Sequence, residues 1–516
     1  TMSVLKKLAG ETIYYGLSSI VGRFISFFLT PMYTYSVIID IPKMGHLTEL
    51  MAYTGMLLIL FTCRMEASYF RFGKEKEHDK AAFDNSLTTV FSISIFLALI
   101  IFFAAPWIAP ALGYAGEEVY FRLLAGIMML DAFCEIPLSR LRFEGKAKQF
   151  ATTRLFNIFV NVVFNIFFVI VCPWLYAKNV SLITFWFDPE FIIAYIFLAQ
   201  VFGSLTSFIL LGKYFKGLGN VDWKLLNRMI KYSWPLVIVS LVAMFNEMFG
   251  RIILKWFLNG TLAENEFQLG IYGANYRLAM LIALFTQAFR YAAEPFFFRE
   301  SANKDSTKTY ADVAKYYLIF SLYGFLAVTL FIDVFKIFIG PKYYEGLAIV
   351  PVLLLANIFS GLYFNVSIWY RLKDKTLTGA FIAIVGAILT LFFNWLLIPR
   401  LGYIGSAYAT LICYFSITLI CYIAGRKHMA VPYQIGLMFF WLAVAVVMQL
   451  AFWQIRSIWA PHLVILLIIG LILILAFTAL IWHSEKVKIK LLAAGFKKKP
   501  SLVGSPTEVD KNNFQL

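Results

Sequence analysis

Hydrophobic runs of about 20 residues recur along nearly the whole chain, separated only by short polar or Gly/Pro-marked breaks, and each is long enough to cross a bilayer core as a helix. About fourteen such runs can be drawn. Their approximate limits are 11 to 33, 46 to 70, 84 to 108, 119 to 140, 153 to 176, 190 to 212, 230 to 257, 270 to 292, 313 to 336, 347 to 369, 376 to 398, 403 to 425, 433 to 455 and 462 to 482. With 61% hydrophobic and only 14% charged residues, the chain lies far from the globular norm of roughly half apolar and a quarter charged. It reads as an all-α polytopic membrane protein with no room for a large soluble domain.

The first run is of full spanning length, without the short core and small-residue cleavage site of a signal peptide, so it is expected to be helix 1. Cys63, Cys134, Cys172, Cys413 and Cys421 all fall inside hydrophobic runs without metal-type or disulfide-type spacing, which points to packing roles and to no metal. The formal charge of +16 would suggest nucleic acid in a soluble protein, but its distribution follows membrane topology. Most of the 45 lysines and arginines sit at the amino terminus, in alternate loops near 71, 140, 213, 299, 371 and 426, and in the tail. Cytoplasmic loops collect such residues, and an even number of spans puts both termini on that side. The basic tail "KVKIKLLAAGFKKKP" suits anionic lipid.

A short echo links "LFTCRME" (Leu60 to Glu66) in span 2 with "LFTQAFRYAAE" (Leu284 to Glu294) in span 8. It suggests two six-span halves of one orientation, with spans 13 and 14 as an addition. The expected segments are 1–212, a cytoplasmic connection 213–229, 230–425, the added spans 426–482 and a tail 483–516.

Ionisable residues inside these spans each cost about 2.5 to 3.5 kcal/mol at the bilayer centre and need partners or water. The arginines are Arg23, Arg64, Arg251, Arg277 and Arg290; the acids are Glu66, Asp131, Glu135, Glu247 and Glu294. At about 1.5 Å per residue, Arg23 and Arg277 lie within roughly 6 Å of their span midpoints and Arg251 about 10 Å further out. Glu247 stands four residues before Arg251 and Glu294 four after Arg290, so each could pair within its own helix. Arg23 and Arg277 are left in surplus, as they would be beside a wet cavity or an anionic ligand. Asp131 and Glu135 share a face of span 4, where their repulsion fits either proton or sodium coupling or salt bridges to the arginines of spans 1 and 2. Asn157, Asn161 and Asn165 recur every four residues beside Arg154; this polar stripe suits interhelical hydrogen bonds or sugar hydroxyls.

Several activities are excluded. There is no P-loop sequence, no H-E-x-x-H and no G-x-S-x-G, and all five histidines lie at or beyond span ends, so ATP-driven pumping and intramembrane hydrolysis are not expected. No enzyme activity and no cofactor are expected, the driving force for any transport being H+, Na+ or the membrane potential.

The stretches "GLSSIVGRFISFFLTPMY", "GHLTELMAYTGMLL" into "RMEASYFRF", "IYGANYRLA" with "QAFRYAAEPFFF", and "GYIGSAYATLICY" together resemble bacterial polysaccharide-biosynthesis membrane proteins. These are the lipid-linked oligosaccharide flippases of the multidrug/oligosaccharidyl-lipid/polysaccharide exporter superfamily. The resemblance implies two six-helix lobes around a V-shaped cationic cavity in the bacterial inner membrane, with two final helices beside a lipid-tail path. It implies an undecaprenyl-pyrophosphate glycan of the O-antigen type as cargo, with Arg23, Arg64, Arg251 and Arg277 facing the pyrophosphate. Arg290 and the asparagines join these as candidate substrate-binding residues. Membrane lipids and a glycan polymerase or ligase would be partners, and nucleic acid would not. Relatives often carry an acid just before the span 7 arginine, where this chain has Gly250. Drug or cation antiport on the same fold, which should show a net acidic cavity, and a non-transporting scaffold with every charge paired, are the competing readings.

Overall fold

The computed structural model describes residues 27–74, 78–300, 306–373, 375–459 and 462–497. Among them helix is the only regular structure. Residues 27–35 are the described part of α1, and Arg23 lies outside the described residues. The others are α2 (Ile41–Phe72), α3 (Asp79–Ala111), α4 (Glu118–Phe143), α5 (Ala147–Ala177), α6 (Pro189–Leu210) and α7 (Trp223–Phe257). They are followed by α8 (Leu262–Glu300), α9 (Ser306–Leu330), α10 (Pro341–Leu372), α11 (Thr376–Leu401), α12 (Tyr403–Arg426), α13 (Ile435–Trp459) and α14 (Leu463–Lys497).

Twelve helices among the described residues are long and apolar enough to cross a membrane. α4 matches the remaining fully described span of the sequence. It has the length but carries Glu118, Arg122, Asp131, Glu135, Arg140 and Arg142. The protein is a multi-pass membrane protein.

Local chemistry sets the helix ends. Asp40 caps α2 by accepting from the Lys43 amide at 2.8 Å, with Pro42 in the first turn, where its missing N–H costs nothing. Asp222 caps α7 through the amides of Lys224 and Leu225 at 3.0 and 3.1 Å. In α5 the turn Phe167–Val171 widens to π geometry just ahead of Pro173, which cannot donate the next helical bond.

α2 is broken. Cys63 and Arg64 both take left-handed backbone angles (φ 47° and 54°), a conformation costing roughly 1–2 kcal/mol per non-glycine residue. The final turns, Met65–Phe72, are thereby aimed at α7. Ser68 donates to the Met229 carbonyl at 2.9 Å, and the Arg71 guanidinium lies 4.4 Å from the Tyr232 ring. The echoed stretch of α8 contains no such break.

Two compact units divide the chain, residues 1–442 and 443–516, with the boundary inside α13. The second consists of the end of α13 and α14. In the first, α3 packs on α4 and α6 on both α4 and α5, while α12 packs on α10 and α11, α7 on α11 and α8 on α10. α2 joins these groups by running against both α7 and α8.

At the end where α2 and α8 begin, glycine brings the two backbones together. A methyl group at Gly270 would overlap the Ile41 carbonyl, and one at Gly273 would overlap the Thr48 hydroxyl. Membrane helices associate through such close approach of small residues. Gly270→Val should therefore cost about 1–3 kcal/mol through overpacking, read as a lower thermal unfolding midpoint in detergent; an unchanged midpoint would mean that the seam does not exist.

Candidate functional site

A cavity of about 390 Å³ opens between α1, α2, α4, α5 and α6 on one side and α7 and α8 on the other. Its wall carries the guanidiniums of Arg154, Arg251 and Arg277 and the carboxylate of Asp131. Helical spacing puts these groups there. Arg154, Asn157, Asn161 and Asn165 form one face of α5, since residues three and four apart are neighbours on a helix surface.

Arg277 reaches Thr30 Oγ1 with Nη1 at 3.4 Å, and its guanidinium carbon stands 5.5 Å from the Tyr33 ring centroid. Arg251 lies 4.0 Å from the Tyr276 ring centroid, and its Nε has no hydrogen-bond partner. Among the described residues, neither arginine has a carboxylate oxygen within the 4.0 Å of an ion pair. The expected Glu247 to Arg251 pair is not formed: Glu247 is exposed and both residues line a second cavity.

That second cavity, of about 330 Å³, lies between α7, α8, α10 and α12. It shares Arg251 and Tyr276 with the first, so the two adjoin there. Arg290 lines it too, 4.8 Å from the Phe364 ring. The Glu294 side chain lies outside those described.

Arg64 stands apart from both cavities. The left-handed backbone at Cys63–Arg64 turns it toward Glu66, which it meets at 2.8 Å.

The two acids of α4 separate in role. Asp131 accepts from Ser204 Oγ at 2.5 Å on the cavity wall. Glu135 pairs with Arg142 at 3.1 Å and Arg154 at 3.6 Å, so its partners among the described residues come from α4 and α5; Arg23 of span 1 lies outside them.

The asparagine stripe makes the expected interhelical hydrogen bonds and lines the cavity. Asn157 donates to Ser207 Oγ at 3.0 Å, tying α5 to α6, where Gly203 lets the helices touch. Asn165 accepts from the Tyr33 hydroxyl at 2.7 Å and donates to Asn161 Oδ1 at 2.9 Å. All three asparagines also face the cavity.

Sequence reasoning did not single out Arg154, Tyr33 and Tyr276 as wall residues. The i+3 step from Arg154 to Asn157 was the available signal. For the tyrosines there was none, because aromatics are abundant throughout the chain.

The chain is thus a polytopic helical protein with a polar cavity between two helix groups. The chain belongs to the polysaccharide biosynthesis protein family, whose model matches residues 8–300. Among solved structures it is similar to the lipid II flippase MurJ in an inward closed conformation (TM-score 0.68, 15% identity, covering 92% of this chain and 99% of that one). It is also similar to an inward-facing multidrug resistance MATE family transporter of the MOP superfamily (0.61, 13%, 79% and 97%). An outward-facing MATE family structure matches as well (0.56, 14%, 81% and 94%). At these identities the likeness is one of fold. These structures are of a flippase and of transporters. No curated protein matches the chain.

Proposed function

We infer that the protein moves a lipid-linked glycan bearing an undecaprenyl pyrophosphate from the cytoplasmic to the periplasmic leaflet by alternating access, with the guanidiniums of the central cavity holding the pyrophosphate. The observation that carries this reading is the wall of that cavity, where, among the described residues, Arg251 and Arg277 have no carboxylate at ion-pair distance and Arg154 shares Glu135 with Arg142. Cations without carboxylate partners deep in a membrane protein need water or an anion. A pyrophosphate offers several acceptor oxygens to forked guanidinium donors. The amides of Asn157 and Asn161 beside them suit sugar hydroxyls, while the polyprenyl tail can stay in lipid.

Drug or cation antiport on the same fold is less well served, since a hydrophobic cation would meet three guanidiniums. The charge bias of the loops supports an orientation with both termini on the cytoplasmic side, and the inner membrane is the location this reading assigns. Under that orientation α2 and α8 begin at the periplasmic end. A glycan polymerase or ligase is the natural recipient of the cargo, and Asp131 is a position for ion coupling.

Undecaprenyl-pyrophosphate sugars at 100 times their dissociation constant should stabilise the purified protein by about 2.7 kcal/mol, read as a raised unfolding midpoint. Hydrophobic cations should leave it unchanged. Stabilisation by the cations alone would reverse the assignment.

A further inference from the structure

A buried ionic cluster lies at the periplasmic end of α2 and α8, away from the cargo cavity. Glu49 and Lys255 pair at 2.9 Å with no side-chain exposure. The Tyr114 and Tyr53 hydroxyls donate to Glu49 at 2.6 and 3.1 Å, and Lys255 donates to the Leu112 carbonyl at 2.7 Å. Beside this pair the His46 ring sits between two acids, Nε2 at 3.0 Å from Glu266 Oε1 and Nδ1 at 3.7 Å from Glu117 Oε2. Neither ring nitrogen nor either of those oxygens has an aligned hydrogen-bond partner. Glu266 is also 4.0 Å from Lys255.

The cluster is therefore three carboxylates around one ammonium and one imidazole. It joins elements from both halves of the chain: α2 and the segment 112–117 on one side, α7 and α8 on the other. The other ionisable groups facing it are Lys43 of α2, held by Glu190 at 3.0 Å, and Tyr120 of α4, whose hydroxyl gives to Glu117 at 3.5 Å. Asp188 lies beyond them.

We propose that the His46–Glu117–Glu266 triad binds a proton that latches the periplasmic end shut. With the proton bound, the imidazolium donates from one nitrogen to each acid and ties α2 between α8 and the 112–117 segment. Without it, the buried Glu49 and Glu266 carboxylates and the partly exposed Glu117 face a single ammonium, and their repulsion favours separation of the halves. Burial also pushes the Glu117 carboxyl above the usual carboxylate range, against the pull of His46. A group raised in the closed state favours closure at low pH and loses that effect as pH rises. An acidic periplasm thus favours the state open to the cytoplasm, ready for cargo. The latch rests on the alternating-access reading above.

The test uses the full chain in lipid nanodiscs with Cys63→Ser and spin labels at Leu182 and Ile337, both exposed. Between about pH 8 and about pH 5.5 the ratio of short to long distances should rise as the proton binds. His46→Gln should abolish this dependence; should that variant fail to fold, Glu117→Gln must flatten it. A pH response that survives in the folded variant, or a wild type insensitive to pH that still opens with undecaprenyl-pyrophosphate glycan, overturns the latch alone. A wild type that never changes distance under any of these conditions overturns the transport reading with it.

Discussion

Arg277→Ala abolishes glycan translocation, with a loss of about a hundredfold or more, while the variant stays folded in the membrane at wild-type abundance. The size follows from the contacts removed. A charge-assisted hydrogen bond contributes about 1.5–3 kcal/mol, a forked pair to pyrophosphate roughly doubles that, and each 1.4 kcal/mol is tenfold. Folding is spared because Arg277 has a hydroxyl and an aromatic ring for neighbours, so its removal orphans no described carboxylate. Arg277→Lys should fall between the two, since an ammonium keeps the charge and loses the fork. Cell-surface glycan and membrane abundance, measured together, check this. Normal export by Arg277→Ala would refute the assignment. Arg23→Ala is expected to behave in the same way.

Lys255→Met has the opposite signature: it should destabilise the protein by about 3–5 kcal/mol, because it leaves the Glu49 carboxylate buried without its counter-charge. Glu49 is fully buried, with only tyrosine hydroxyls remaining to it. In the double variant Lys255→Met/Glu49→Gln the stranded Glu49 charge is gone and Glu266 keeps His46 beside it; the amide oxygen accepts from one tyrosine and the amide NH2 donates to the other, so much of the loss should be recovered. Thermal unfolding of the three proteins in detergent decides it. A single variant no less stable than the double would show that the two charges are not coupled.

The contrast between these substitutions explains what could be read from the sequence. Hydropathy locates the spans because a bilayer demands a fixed length of apolar helix, and most of the described helices from α2 onward fall close to those limits, while α8 and α14 run on past them into polar sequence. The central cavity was partly legible, since Arg277 and the asparagines are polar residues in long apolar runs and have little reason to be there without water or a partner. The buried cluster was not. His46, Glu49, Lys255 and Glu266 lie at or beyond the ends of apolar runs, where charge is unremarkable, and only the folded approach of α2, α7 and α8 encloses them.

Arg64 shows a different limit. Leu-Phe-Thr followed by arginine and glutamate made α2 and α8 look alike, but two left-handed residues turn Arg64 into a partner of Glu66. Neither Cys63 nor Arg64 is a type that signals such a turn. The pairing of Glu135 with Arg142 and Arg154 likewise depends on how α5 lies against α4, which periodicity along one helix does not specify.

The most direct test of the account is flipping in proteoliposomes. A fluorescent undecaprenyl-pyrophosphate glycan is placed in one leaflet, and its accessibility to an impermeant glycan-modifying reagent is followed in the other. The account requires wild-type protein to transfer it, Arg277→Ala and Arg251→Ala to fail, and excess soluble pyrophosphate to slow the wild type. Equal transfer by wild type and both arginine variants would contradict it.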